Sequence, residues 1–176
     1  MPFTITEFKS KLNTETLQRS HNYEFWVQPP WDKGEALKHF AWTTESISLP
    51  GASFVSVSNY RPYGAGRVWD VPYAFNPQEI SSTHLIDGNS TTIAEINRWV
   101  NYIIRTGRDA TAHYMDEYTA ASAVIKLYDE HGKKAVTQYE LFECFPMSVD
   151  QVQLGWANEE IARVNVTWRY TDYKIS

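Results

Sequence analysis

The sequence predicts a mainly β (α+β) protein: an antiparallel β-sandwich or barrel with one flanking amphipathic helix near residues 92–105. Three observations carry this expectation. Segments alternating apolar and polar residues recur along the chain, each bounded by Pro, Gly or Asp-rich turn signals. One segment alone keeps an apolar stripe at the 3.6-residue helical period. Seven Trp, eleven Tyr and eight Phe make up 15% of the 176 residues, and aromatic side chains favour strands and protein–protein interfaces.

Residues 1–20 read as an N-terminal arm with a short helix, since Phe8 and Leu12 stand at helical spacing behind Thr4. Residues 21–176 read as a single β domain. Its first strand is NYEFWV, with Tyr23, Phe25 and Val27 alternating with Glu24, Trp26 and Gln28, and it stops at Pro29 and Pro30. A second strand is expected through Leu37, Phe40 and Trp42, closing at Leu49-Pro50-Gly51. The stretch near 51–80 is expected to be a long loop. SFVSVSNY alternates as a strand does, with Phe54 and Ser56 on one face and Val55 and Val57 on the other, but RPYGAGRVWDVPYAFNP holds three prolines, two glycines and four aromatics. Long loops in compact domains commonly contact partners.

Asp87-Gly-Asn-Ser90 is a turn, with Ser90 or Thr91 as the expected helix cap. Ile93, Ile96, Trp99, Val100, Ile103 and Ile104 then form the helical stripe, and Gly107 is its natural stop. This face is read as core packing. Val124 to Tyr128, the turn Asp129-Glu-His-Gly132 and Ala135 to Phe145 predict a hairpin ended by Pro146. Val152 to Leu154 is a short apolar run before a turn at Ala157-Asn-Glu-Glu. The closing strand has Val164, Val166, Trp168 and Tyr170 alternating with Asn165, Thr167, Arg169 and Thr171.

Charge and motif content narrow the function. Lys plus Arg is 16 against 21 acids, a net charge of -5, whereas gripping nucleic acid calls for a basic surplus. No apolar run reaches the roughly 20 residues that span a bilayer, and MPFTITEFKSKL has no signal-peptide pattern, so the expectation is a soluble protein made in the cytoplasm. Cys144 is single and set among Leu141, Phe142 and Phe145, the pattern of a small buried hydrophobe rather than a nucleophile. His21, His39, His84, His113 and His131 show no metal-ligand spacing. The acid pairs Asp129-Glu130 and Glu159-Glu160 lie in turns, where carboxylates are solvated. Gly64-Ala65-Gly66 lacks the helix and Lys-Ser/Thr pair of a phosphate loop. No catalytic, cofactor-binding or metal-binding residue is assigned; a non-enzymatic protein without cofactor is expected.

Read end to end, the chain resembles the tail tube proteins of contractile-tailed bacteriophages, a family shared with secretion-system tubes and baseplate tube initiators. The likeness lies in the order of features: EFKSKL, NYEFWV, SISLPG, Tyr63-Gly64, Pro72-Tyr-Ala-Phe75, the Trp99 helix after Asp87, IKLYDEHGK, YELFECFP and VQLGWANEEIARVNVTWRYTDY. The resemblance implies a structural virion protein that forms hexameric rings, with sheets joined edge to edge around a channel. The rings stack into the inner tail tube, which conducts DNA during genome ejection. It further implies assembly in the host cytoplasm into the tail of the virion. The implied partners are other copies of the chain, sheath, baseplate and tail terminator proteins, and a tape-measure protein and DNA passing unbound through the lumen, with no membrane. Inter-ring contacts are expected at Leu49, Pro50, Phe54, Tyr60, Tyr63, Trp69, Tyr73 and Phe75. An acidic subunit suits a channel wall that must not hold phosphate.

The extended aromatic segment and long arm depart from the simplest tube subunits and leave room for a position at one end of the tube. A baseplate tube initiator of the same fold, stopping at one ring, is thus an alternative. A small-ligand β-barrel, with Trp42, Trp69 and Trp99 lining a cavity, is another.

Overall fold

The computed structural model describes residues 5, 20–31, 36–59, 69–104, 112–129, 131–155 and 160–176. The described strands are β1 (Tyr23–Gln28), β2 (Thr44–Ile47), β3 (Ala52–Asn59), β4 (Trp69–Pro77), β5 (Ile80–Leu85), β6 (Ser122–Tyr128), β7 (Ala135–Phe142), β8 (Phe145–Val149), β9 (Arg163–Arg169) and β10 (Asp172–Ile175). Helical segments are α1 (Ala36–Thr43), α2 (Thr91–Ile103) and α3 (Met115–Tyr118). One antiparallel sheet has the order β1-β6-β7-β10, and the other β2-β5-β9-β8. Among the described residues β3 and β4 pair only with each other.

Alternation decides which side chains meet between the sheets. Phe25 and Val27 of β1, Ala123 and Ile125 of β6 and Leu141 of β7 point inward, opposite Ile80, Ser82 and His84 of β5 and Val164, Val166 and Trp168 of β9. Trp168 touches Phe25 and Trp99 edge-on, each at 5.6 Å between ring centroids, a geometry the ring quadrupoles favour.

Polar groups inside this core form one directed chain. Trp168 Nε1 donates to Ser82 Oγ at 2.7 Å, and Ser82 Oγ lies 2.8 Å from His84 Nε2. His84 Nδ1 lies 3.2 Å from Thr44 Oγ1, which donates to the Phe40 carbonyl at 2.7 Å. With the Trp168 and Thr44 donors fixed, Ser82 donates to Nε2 and the neutral imidazole carries its proton on Nδ1. Burial among Phe25, Phe40 and Trp168 lowers the His84 pKa to about 4.

The expected helix is present as α2. Ile96 and Trp99 are fully buried, Ile93, Val100 and Ile103 are half-buried, and Trp99 Nε1 donates to the Tyr118 carbonyl at 2.8 Å. It stops earlier than 105: Ile104 is extended and bridges Ala112. Gly107 lies outside the described residues. The cap also differs from expectation. Ser90 sits at φ 56 without a side-chain cap, and Asp87 Oδ1 instead accepts from Thr92 N at 3.1 Å. The β6–β7 turn matches its sequence: Gly132 takes φ 66, and Asp129 Oδ1 accepts from Lys133 N at 2.8 Å.

Five further expectations are corrected. The second strand begins only at Thr44, because Ala36 to Thr43 is α1; Leu37, Phe40 and Ala41 stand at the i, i+3, i+4 spacing of a helix. Residues 51–80 are no long loop: β3, β4 and the start of β5 lie within them. Prolines at 72 and 77 are tolerated because a two-stranded ribbon leaves each strand a free edge. Pro72 also adjoins a bulge, since Val55 faces Ala74 and Ser56 faces Pro72, leaving Tyr73 unpaired. Pro146 does not end a strand. Glu143, at φ 52, turns the chain after β7, and Pro146 lies in β8, an end strand with its own register shift. Val152 to Leu154 forms no strand. The closing alternation stops at Arg169, and the chain then crosses at Tyr170-Thr171 into the other sheet as β10. Of the N-terminal arm, Ile5 is helical, while Phe8 and Leu12 lie outside the described residues.

Candidate functional site

Among the described residues, exposed large apolar side chains gather on the β3–β4 hairpin. Cross-strand register places Phe54 opposite Phe75, Ser56 opposite Pro72 and Ser58 opposite Asp70 on one face. The other face pairs Val55 with Ala74 and Val57 with Val71. Phe54 and Phe75 meet at 6.0 Å between centroids, and Ser58 Oγ donates to Asp70 Oδ1. Phe54 and Tyr73 are each 67% exposed, and Val55, Val57, Val71 and Phe75 are also exposed. A sandwich sheet hides one face. This ribbon carries apolar side chains on both and hides neither, an arrangement marginal in water for two strands alone.

Its root, by contrast, is fixed. The Gly51 carbonyl accepts from Gln78 N at 3.0 Å and from the Tyr170 hydroxyl at 3.2 Å. Phe75 rests on Tyr173 at 6.2 Å, and Tyr173 packs against Tyr139 and Tyr170. Burial, aided by the Tyr173 hydroxyl, Cys144 and Asp172, pushes the Tyr170 phenol up to about 12. Leu49 is exposed and Pro50 half-buried just ahead of the root. Five of the eight expected contact residues therefore gather on the hairpin or its base. Tyr60 and Tyr63 lie outside the described residues, as does the Trp69 side chain, whose backbone opens β4 opposite Asn59.

Val57 and Val71 belong to the same surface; neither is among the expected contacts, because only the cross-strand register brings them together. A second feature had no local pattern to announce it. At the Arg163 end of β9 lies a cleft of about 710 Å³, lined by Asp150, Gln153, Leu154, Ile161, Arg163 and Asn165 among others. Leu154 is 82% and Ile161 60% exposed there.

The outer faces of the two sheets differ in chemistry. That of β2-β5-β9-β8 presents Ser46, Ser81, Thr83, Ser148, Asn165 and Thr167, with Thr83 Oγ1 donating to Asn165 Oδ1 at 2.9 Å. Charges at its margins are paired, Arg163 with Glu45 and Arg169 with Glu79. The Arg163 hydrogen bond holds the Glu45 carboxyl below its usual range. The face of β1-β6-β7-β10 is mixed: Lys126 sits over Trp26, Glu24 accepts from Trp26 and Tyr128, and Val136 and Phe142 are exposed.

Groups suited to catalysis are placed elsewhere. The Cys144 thiol is fully buried and pushed up to about 12 by burial, and both His84 nitrogens are occupied. Among the described residues no group of three or more His, Cys, Asp or Glu side chains is placed to hold a metal. Among them, too, no helix is long and apolar enough to cross a membrane. Trp99 is in the core and Trp42 is 63% exposed, so these two do not share a cavity.

The family model described as phage tail tube protein matches residues 3–176. No curated protein matches the chain in sequence. Among solved structures, it is similar to a chain of the anti-feeding prophage baseplate, 6-fold symmetrised, with TM-score 0.71 and 15% identity over 92% of this chain and 97% of that one. It is also similar to a chain of the PVC sheath-tube complex of an extracellular contractile injection system in the extended state, with TM-score 0.67 and 14% identity over 99% of both chains. A third similar chain is from the tail of an empty GTA particle with C6 symmetry, at TM-score 0.52 and 8% identity over 91% of this chain and 99% of that one. At these identities the likeness is one of fold.

Proposed function

This chain belongs to the phage tail tube protein family, and on that premise we propose that it builds the inner tube of a contractile tail as stacked, hexameric rings. The observation that carries the reading is the β3–β4 hairpin, with exposed apolar side chains on both faces and a root fixed to the sandwich. Such a ribbon becomes stable when another copy covers it, and Phe54, Tyr73 and Phe75, with Leu49 and Pro50 at the base, are its contacts to the next ring. Tyr60, Tyr63 and Trp69, their neighbours in sequence, are assigned to the same contact. The six-fold description of similar assemblies supports the ring number. Among the described residues each sheet also ends in strands with a single neighbour, β1 and β10 in one and β2 and β8 in the other, and ring closure removes such edges.

The role is structural, without catalysis. Sheath, baseplate and terminator proteins are its partners in the tail, and DNA and a tape-measure protein pass through unheld. For the channel wall we favour the outer face of β2-β5-β9-β8. Its hydroxyls and amides offer phosphate no cation, and Arg163 and Arg169 at its margins are held by Glu45 and Glu79.

Electron microscopy of the purified protein over a range of concentrations tests this. Rings and tubes are expected. Monomers that persist at high concentration, and also in the presence of preformed baseplate as template, refute the tube role. Single rings that never stack favour the tube-initiator alternative. A reconstruction with the Trp26 and Lys126 face turned to the channel refutes the assignment of the wall.

A further inference from the structure

The hairpin and the cleft lie at opposite ends of one strand. β3 and β4 leave the sandwich beside Ile80, which pairs with Trp168 at the end of β9, and the Tyr170 hydroxyl holds their root. The cleft opens at Arg163, where β9 begins. Seven residues at about 3.3 Å each separate the two features by about 20 Å. We propose that the cleft is the acceptor for the β3–β4 hairpin of the next copy, an inference that rests on the stacking role above and supplies its missing partner surface.

The two surfaces match in chemistry. Leu154 and Ile161 present branched aliphatic side chains, 82% and 60% exposed, in a cleft whose described lining also holds Asp150, Gln151, Gln153, Glu160 and Asn165. The hairpin offers Phe54, Val57, Val71 and Tyr73. Charge agrees as well. Asp150 and Glu160 line the cleft, and Arg163, the one cation among its described lining residues, is engaged by Glu45 and lies 4.0 Å from Glu160. The sequence that joins β3 to β4 contains Arg61 and Arg67 and no acid. A contact between different surfaces at opposite ends is heterologous, so it repeats from copy to copy without closing and produces an open stack. The ring edges take no part in it, and ring formation and stacking become separable.

Cysteine pairing tests the contact in assembled tubes of the full chain, where buried Cys144 does not compete. Tyr73→Cys combined with Leu154→Cys, under mild oxidation, is expected to give a ladder of covalent oligomers on a non-reducing gel. Val57→Cys with Ile161→Cys is a second pair in case the first disturbs assembly. Tyr73→Cys with Gln138→Cys, on the other sheet, should give no ladder. Tubes that form with either cleft pair yet give no ladder overturn the acceptor assignment and leave the tube role standing; a wild-type chain that never assembles removes the stacking premise itself. A measurement without cross-links closes the case. Leu154→Asp with Ile161→Asp changes only exposed side chains, so its circular dichroism should be unchanged while assembly stops at single rings. Tubes of wild-type length from that variant overturn the proposal.

Discussion

In the sandwich, Phe25, Trp99 and Trp168 are fully buried, and Trp168 meets the other two edge-on; in the β3–β4 hairpin, Phe54 and Tyr73 are two-thirds exposed, and Phe54 meets Phe75 of its own ribbon. The same residue types thus serve two separate ends. Burial inside one chain contributes to folding, and burial deferred until a second chain arrives contributes to association. The high aromatic content is therefore two populations rather than one large core. Interfaces draw on aromatics for the same reason cores do, because they remove much area from water at small entropic cost.

If that division is right, the largest effect on monomer stability comes from the body. Trp168→Ala empties the middle of the core and strands Ser82 without its indole donor, and should cost about 3–5 kcal/mol, read from the urea midpoint. A loss comparable to that of an exposed residue would erase the distinction between the regions.

Next comes acid. His84 is neutral in the folded chain, with its pKa lowered to about 4 from 6.5. Below pH 6.5 the unfolded chain takes up this proton and the folded chain does not. The stabilisation is therefore complete above that pH and is lost as pH falls through 6.5 toward 4, by about 2–3 kcal/mol at pH 4.5. Other carboxylates titrate in the same window, so the check is a difference. His84→Gln should be weaker at neutral pH yet show a shallower loss of stability between pH 7 and 4.5. Parallel curves for the two proteins would mean that His84 contributes nothing to acid sensitivity.

The smallest change in monomer stability belongs to the hairpin. Tyr73→Asp, at an exposed bulge position, should change the unfolding free energy in urea by no more than about 0.5 kcal/mol. The same variant should form no tubes under conditions where the wild type does. Unimpaired tubes would show that Tyr73 does not bind a second copy.

Much of the body was legible in the sequence because its signals are local. The stripe from Ile93 to Ile103, the alternation of β1 and β9, and the Asp129–Gly132 turn each declare themselves within a few residues. What escaped depends on position in the assembled sheet. Pro72 and Pro146 signal breaks to a reader of sequence, and become acceptable only on strands with a free edge. The crossing at Tyr170-Thr171 cannot be seen in an alternation that simply stops. α1 was misread because Trp42 and Thr43 extend an apolar run into β2. At the candidate site, the aromatics Phe54, Tyr73 and Phe75 drew notice, whereas Val57 and Val71 did not. Leu154 and Ile161 are brought to one cleft by chain folding alone, and no spacing records it.

The root of the hairpin has a mechanical consequence. Tyr170, whose hydroxyl holds Gly51, stands where the chain leaves β9 and enters β10. A pull applied to the ribbon passes along the backbone to β2 and β5, which are neighbours in one sheet, and through the Tyr170 hydroxyl to the corner where the chain enters the other. A weak, exposed appendage is thereby tied to both sheets at its root.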